Sequence, residues 1–213
     1  MRHVVIAIFA ALIGLSTPAL AQEPVGVVER IKGEAYRTGD AGFAFLAVGD
    51  AVFEDDVLET APYARMLVRF EDGSALTLGE DARLTIDDMV YRRDAASDRQ
   101  ALSIAKGVFR FLTGAMATAN PQSVTFRTPV ATIGVRGTNF GGGELFVGMP
   151  PGVAHYGFQL QDGAIEVRAP EGTVILDEAG EGTFLPIGRT APPTPPRQWS
   201  QPATDELEAA LAF

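Results

Sequence analysis

Apolar and polar positions alternate along most of the chain in runs of four to twelve residues, each closed by Gly, Asp or Pro. The runs cover Val25 to Tyr36, Phe43 to Val48, Val57 to Thr60, Arg65 to Phe70, Ala75 to Leu78, Arg83 to Ile86 and Ala101 to Phe111. Short, regularly punctuated runs of this kind predict strands. Met66, Val68 and Phe70 share a face, and Glu71-Asp72-Gly73-Ser74 then turns the chain into Ala75-Leu76-Thr77-Leu78, a hairpin or tight corner. Tyr156 to Leu160, Ala164 to Arg168, Thr173 to Leu176 and Thr183 to Ile187 resume the pattern.

Thr128 to Phe140 is the densest stretch and reads as a bent strand. Val124 and Phe126 occupy even positions while Ile133 and Val135 occupy odd ones, so Thr128-Pro129 is expected to mark a corner. Gly134 and Gly137 suit positive φ or close approach of another backbone, and Asn139 tolerates left-handed geometry at the same turn. Gly141-Gly142-Gly143 and Gly148 to Gly152 read as hinge-like or irregular, and Tyr91 to Gln100 as an exposed charged loop. Lys32-Gly33-Glu34-Ala35, Lys106-Gly107-Val108-Phe109 and Asp162-Gly163-Ala164-Ile165 each place Gly between two extended runs, a weak internal repetition.

The expected fold is therefore all-β: a twisted, irregular β-solenoid-like stack of short strands with a short C-terminal helix. Residues 22–140 form the main β domain and 141–188 its C-terminal β extension. Residues 189–203 are a Pro-rich linker, with Ala191 to Pro196 an extended polyproline segment. In the terminal segment, 204–213, Thr204 or Asp205 caps a helix from Glu206 to Ala212 whose apolar stripe is Leu207, Ala210 and Leu211; so short a helix must dock or fray.

Residues 1–21 are set apart from this fold. Arg2 and His3 precede an apolar run from Val4 to Leu15, and Ala19-Leu20-Ala21 supplies a small-x-small pattern, so a signal peptide cleaved after Ala21 is expected, leaving 192 of the 213 residues. No later run is long enough to span a bilayer, so no integral membrane segment is expected after cleavage. There is no cysteine, and stability must come from the core. Periplasmic or secreted bacterial localisation follows as an expectation. The formal charge is −10, or −11 once Arg2 leaves with the leader, which argues against a nucleic-acid partner.

Candidate chemistry is sparse. His155 is the only histidine outside the leader. Ser74 lies in a turn with no nucleophile-elbow sequence, so no catalytic residue is assigned. Asp55-Asp56, Asp87-Asp88 and Glu178-Glu181 lack any recognised calcium spacing, and no metal or cofactor is assigned. Arg136 either holds a partner's carboxylate or, as preferred here, pairs internally and braces the corner. Arg136, Asn139, His155 and Tyr156 are the candidate binding residues. Thr128, Pro129, Gly134, Gly137, Thr138, Asp72 and Gly73 are assigned structural roles.

Val48-Gly49-Asp50, Asp56-Val57-Leu58-Glu59-Thr60, Ala64 to Phe70, Asp72-Gly73-Ser74-Ala75-Leu76-Thr77-Leu78 and Thr128 to Thr138 together resemble, in order and spacing, the FecR-type domain family. The resemblance covers about Val25 to Phe140, and Ala61-Pro62 departs from it where many relatives carry Gly. It implies an exported, β-rich, solenoid-like module, which in the best-known members is the periplasmic part of a transmembrane anti-sigma regulator sensing a ferric-siderophore receptor. Neither sigma-binding helices nor a retained membrane helix is expected here, so a free-standing exported FecR-type protein is the closer comparison. The leading expectation is a non-enzymatic module binding an envelope protein or polysaccharide through sheet edges and the loops after Phe140. A soluble regulator related to anti-sigma signalling domains and a carboxylate-dependent envelope polysaccharide hydrolase are the alternatives.

Overall fold

The computed structural model describes residues 22–40, 42–93, 97–147, 153–188 and 190–213. The expected signal peptide and the Gly148 to Gly152 loop lie outside the described residues. Among the described residues sixteen strands form one sheet. In chain order they are β1 (Gly26–Lys32), β2 (Ala35–Gly39), β3 (Gly42–Phe45), β4 (Ala51–Val52), β5 (Val57–Thr60), β6 (Arg65–Phe70), β7 (Ala75–Leu78), β8 (Arg83–Val90), β9 (Arg99–Lys106), β10 (Val108–Leu112), β11 (Val124–Arg127), β12 (Thr132–Leu145), β13 (His155–Ala169), β14 (Gly172–Leu176), β15 (Glu181–Pro186) and β16 (Arg197–Gln198). Among the described residues there are two helices, α1 (Ala115–Ala119) and α2 (Gln201–Leu211).

The sheet runs β3-β2-β5-β8-β9-β11-β12-β10-β7-β6-β1-β4, with β13 to β16 attached beside β12. It is mostly antiparallel and curls into a half-barrel; among the described residues only β9 and β11 pair in parallel. The expected all-β character and C-terminal helix are present, arranged as a curled antiparallel sheet.

One side of the curl encloses the core. Leu58, Leu84, Leu102, Phe126, Ile133 and Val167 are fully buried there. Phe109, Phe111, Phe126 and Phe140 knot the middle, with ring centroids 4.6 Å apart for Phe111–Phe126 and 5.3 Å for Phe126–Phe140. Their alternation with polar neighbours is what made these strands legible.

The phase change around Thr128 is a full reversal. β11 and β12 form a hairpin with Phe126 opposite Ile133 and Arg127 opposite Thr132. The bend lies further on, where the β12–β13 register shifts around Asn139 and Gly137 adopts φ 59°. Gly33, Gly107 and Gly163 all have positive φ, so the weak repetition marks real kinks. The first two split the expected Val25–Tyr36 and Ala101–Phe111 runs into separate strands.

Gly141-Gly142-Gly143, expected as a hinge, sits inside β12, opposite Arg110, Phe109 and Val108 on one side and Gln159, Phe158 and Gly157 on the other. The glycines serve packing: a Cβ on Gly142 would lie 2.5 Å from Gly157 O, and one on Gly141 would lie 3.2 Å from Leu207 Cδ2 of α2. Helix α2 docks there, beginning five residues earlier than expected, after Ser200 instead of Thr204 or Asp205, with Pro202 in its first turn. Leu145, Trp199, Ala203, Leu207 and Leu211 make a second apolar cluster on this side of the sheet.

The Pro-rich stretch stays against the sheet because Thr194 breaks the proline run. Thr194 N–H donates to Phe184 O (3.0 Å), and Phe184 N–H donates to Thr194 Oγ1 (3.0 Å). This delivers β16 to β15.

Candidate functional site

The β2–β3 hairpin forms one margin of the sheet, and among the described residues β3 pairs only with β2. Phe45 lies opposite Tyr36 and Phe43 opposite Thr38, so all four side chains share a face. Phe43 is 59% and Phe45 66% exposed. The rings of Phe43 and Phe45 are 5.2 Å apart edge to face, and Tyr36 lies 5.5 Å from Phe43. This is an aromatic patch presented to solvent at an open edge.

The backbone of that edge is open too. Leu46 N–H donates to Ala35 O (2.8 Å). An antiparallel ladder alternates, which puts its hydrogen-bonded pairs at Arg37/Ala44 and Gly39/Gly42. Phe43 and Phe45 therefore turn their N–H and C=O groups away from β2.

Under the hairpin, Arg37 holds it to the body of the sheet. Its guanidinium donates to Asp56 Oδ1 at 3.0 Å and lies 5.1 Å from the Phe53 ring centre, while Phe53 N–H donates to Asp56 Oδ2 (2.9 Å). Asp56 is almost wholly buried. The aromatic patch thus stands on a braced support.

From this edge a row of paired side chains crosses the outer face of the sheet. Thr38 lies opposite Val57, Val57 opposite Thr85, Thr85 opposite Ser103, Ser103 opposite Arg127, Arg127 opposite Thr132, Thr132 opposite Arg168 and Arg168 opposite Thr173. Asp87 accepts from Ser103 Oγ (2.5 Å) and Arg127 Nη1 (3.2 Å), and Glu166 accepts from Arg168 Nη2 (2.5 Å). The face is polar and internally paired, unlike the aromatic edge.

The four expected binding residues do not converge. Arg136 lies opposite Ala164, whereas His155 and Tyr156 lie opposite Leu145 and Glu144, about eight residues away along β13, at most about 27 Å at ~3.4 Å per residue, with the kink at Gly163 between. Arg136 is exposed and, among the described residues, makes no ion pair, so the expected internal brace is not formed. Asn139 is not left-handed; Gly137 takes that role, because Gly pays no Cβ penalty there. His155 is buried against Phe184, ring centroids 4.3 Å apart. Burial pushes its pKa down, and the Glu206 carboxylate partly opposes this. Tyr156 is buried with its hydroxyl unpaired among the described residues, and burial, then Glu144, push its pKa up.

The structural residues hold turns. Thr128 Oγ1 donates to Ala131 O (2.9 Å) and accepts from Ala131 N–H (3.0 Å), closing the hairpin loop beside Pro129. Thr138 N–H donates to Thr113 Oγ1 (2.8 Å), and Thr113 N–H donates to Thr138 O (2.9 Å). Asp72 Oδ1 accepts from Ser74 N–H (2.9 Å) and Ser74 Oγ (2.5 Å), with Gly73 at φ 83° between them. Gly134 sits in mid-strand without positive φ.

Ser74 is thus buried and committed to Asp72, and His155 lies on β13, which does not pair with the β6–β7 hairpin. The carboxylates weighed for calcium also have partners: Asp56 holds Arg37, Asp88 holds Arg99 (2.5 Å), and Glu181 accepts from the Asp177 and Glu178 N–H groups. Among the described residues no three His, Cys, Asp or Glu side chains group as metal ligands, and no helix is long and apolar enough to cross a membrane.

Sequence reasoning missed the aromatic edge. Its signal was available in Gly42-Phe43-Ala44-Phe45, two large aromatics on one face of a short strand, but the same alternation describes a buried strand. Only the sheet order shows that, among the described residues, nothing covers it.

A family model described as FecR protein matches residues 56–175. No curated protein matches the sequence. Two crystal structures, each described as a "putative anti-sigma factor" from Parabacteroides distasonis, are similar in fold. One is 15% identical with a TM-score of 0.50 and the other 16% identical with a TM-score of 0.48, each covering 67% of this chain and 59% of theirs. The chain therefore spans about three-fifths of the length of those structures.

Proposed function

The chain belongs to the FecR protein family, and from that premise we propose that it is an exported, non-catalytic recognition module of the bacterial envelope that takes up a segment of a partner protein by strand addition at β3. The observation carrying this reading is the edge itself. Phe43 and Phe45 present unpaired backbone groups and aromatic side chains from the same two residues. An incoming strand would pair with their N–H and C=O groups and lay every second side chain on the Tyr36–Phe43–Phe45 patch. Exposed apolar edges invite pairing and are normally blunted by charge or proline; this one, four residues long, carries neither. Export rests on the leader pattern of residues 1–21.

A regulatory role, as in anti-sigma signalling, is compatible with the same edge, since a sensor must first hold a partner. The polysaccharide hydrolase reading is disfavoured, because the outer-face carboxylates Glu59, Asp87, Asp88 and Glu166 are taken up in pairs with Arg or Ser.

The test is a photo-activated phenylalanine analogue at position 45 in the native host, with Ile175 on β14 as control position and Phe45→Pro as the competing variant. Proline at 45 removes an outward N–H while leaving the β2 ladder intact. A protein crosslinked from position 45 but not 175, with capture lost when the analogue sits at 43 beside Phe45→Pro, supports strand addition. Capture that survives the proline, or capture of glycan alone, removes it.

A further inference from the structure

Mid-strand glycine is unfavourable unless geometry or packing requires it, and at Gly134 neither does. Its φ is not in the left-handed region, and a Cβ placed there would meet nothing nearer than Arg168 Nη2, at 3.8 Å. The missing side chain leaves a hollow in the polar outer face. Thr125 lies opposite Gly134 on one side and Glu166 on the other. Arg136, Arg168 and Gln122 complete a cavity of about 280 Å³.

We propose that this hollow binds the carboxylate and adjoining hydroxyls of a uronic-acid-type sugar. Arg136 is the group that selects the carboxylate, because among the described residues it has no ion-pair partner while Arg168 is engaged by Glu166. A guanidinium pairs with a carboxylate through two parallel hydrogen bonds. Glu166 is the group that selects hydroxyls. The hydrogen bond from Arg168 holds its carboxyl below the usual range against partial burial, with the charges of Arg168 and then Arg136 adding to the effect, so it stays ionised and accepts. Thr125 and Gln122 add donors beside it. The same carboxylate repels a second negative charge, which disfavours phosphate dianions and polyacidic peptides against a hydroxylated monoanion. The cavity lies near the lower end of ligand-site volumes, about 300 Å³, which fits one ring. The hollow shares no residue with the β3 edge, so it stands independently of strand addition there.

The mature chain is titrated with sodium glucuronate, glucose, acetate, inorganic phosphate and tetra-aspartate while the arginine Nε–H resonances are followed by NMR. Glucuronate is expected to shift Arg136 and Arg168 saturably and to bind at least about tenfold more tightly than acetate, as expected for added hydrogen bonds to charged groups. Glucose should leave both signals unmoved. Arg136→Gln should weaken glucuronate at least about tenfold, the cost of one charge-assisted contact. Gly134→Val should fill the hollow and abolish binding with the melting curve intact; if that variant unfolds, Arg136→Gln decides. Unmoved arginine signals, unchanged affinity in Arg136→Gln, or phosphate or tetra-aspartate binding as tightly as glucuronate would each overturn the assignment.

Discussion

Arg110 on β10 and Glu208 on α2, 98 residues apart, meet through two hydrogen bonds, Nη1 to Oε2 at 3.1 Å and Nη2 to Oε1 at 2.5 Å. The pair sets the rotation of the terminal helix on the sheet, and Gln161 adds a third bond to the same carboxylate at 2.7 Å. Most of the docking energy lies beneath it. Leu207 is fully buried over Gly141. Leu207→Ala is therefore expected to cost about 2–4 kcal/mol of unfolding free energy, the range for a buried leucine. Glu208→Gln, at a half-exposed carboxylate, should cost less than about 1 kcal/mol. Urea denaturation of the two variants checks the order, and equal costs would mean the helix is held chiefly by charge.

Two glycines with nearly the same φ give a second test. Gly163 has φ 86° and Gly73 has φ 83°. A Cβ at Gly73 meets nothing within 4 Å, whereas one at Gly163 would lie 2.0 Å from Gly137 O. Gly73→Ala should cost about 1–2 kcal/mol, the left-handed penalty alone. Gly163→Ala should cost more than about 3 kcal/mol, because backbone must move as well. Similar melting temperatures for the two would refute the contrast.

The same residues mark how far the sequence could be read. Gly33, Gly107 and Gly163 betrayed kinks because glycine between two extended runs has a local cause. Gly141 to Gly143 misled because their cause is distant: Leu207 and the neighbouring strands, brought close only by the fold. Thr128-Pro129 announces a change of phase that reads as a corner, yet the chain reverses there, and parity shifts alike in both. The aromatic edge was hidden for a related reason. Phe43 and Phe45 have the alternation of core residues, and only the order of strands leaves them uncovered.

Asp56 links that edge to the interior. It is nearly inaccessible and Arg37 is largely so, with side-chain exposures of 2% and 14%. Removing the carboxylate would strand a guanidinium in a poorly solvated place and release the Phe53 N–H. Asp56→Ala should cost about 3–5 kcal/mol, as for other buried pairs broken on one side. Because the bond ties β2 to the segment before β5, hydrogen exchange should rise first in Ala35 to Phe45. Uniform acceleration across all strands would instead mean that Asp56 acts on global stability alone.

His155 gives the chain a pH dependence with a definite sign. Burial against Phe184 lowers its pKa below the ordinary 6.5, and Glu206 offsets only part of this. Between the two values the unfolded chain binds a proton that the folded chain refuses, so folding stability is lost as pH falls through about 6.5 and levels off below the folded pKa. Glu54 works the other way in a lower window. Burial, Asp88 and Asp55 raise its pKa above 4.5 against Arg99, so its contribution to stability falls as pH rises through that region. His155→Phe keeps an aromatic ring on Phe184 and removes the titration. Its urea midpoint should be flat from about pH 5.5 to 7 where the parent chain's rises, by the linkage relation. An unchanged slope in His155→Phe would assign the dependence to another group and leave His155 as a packing residue only.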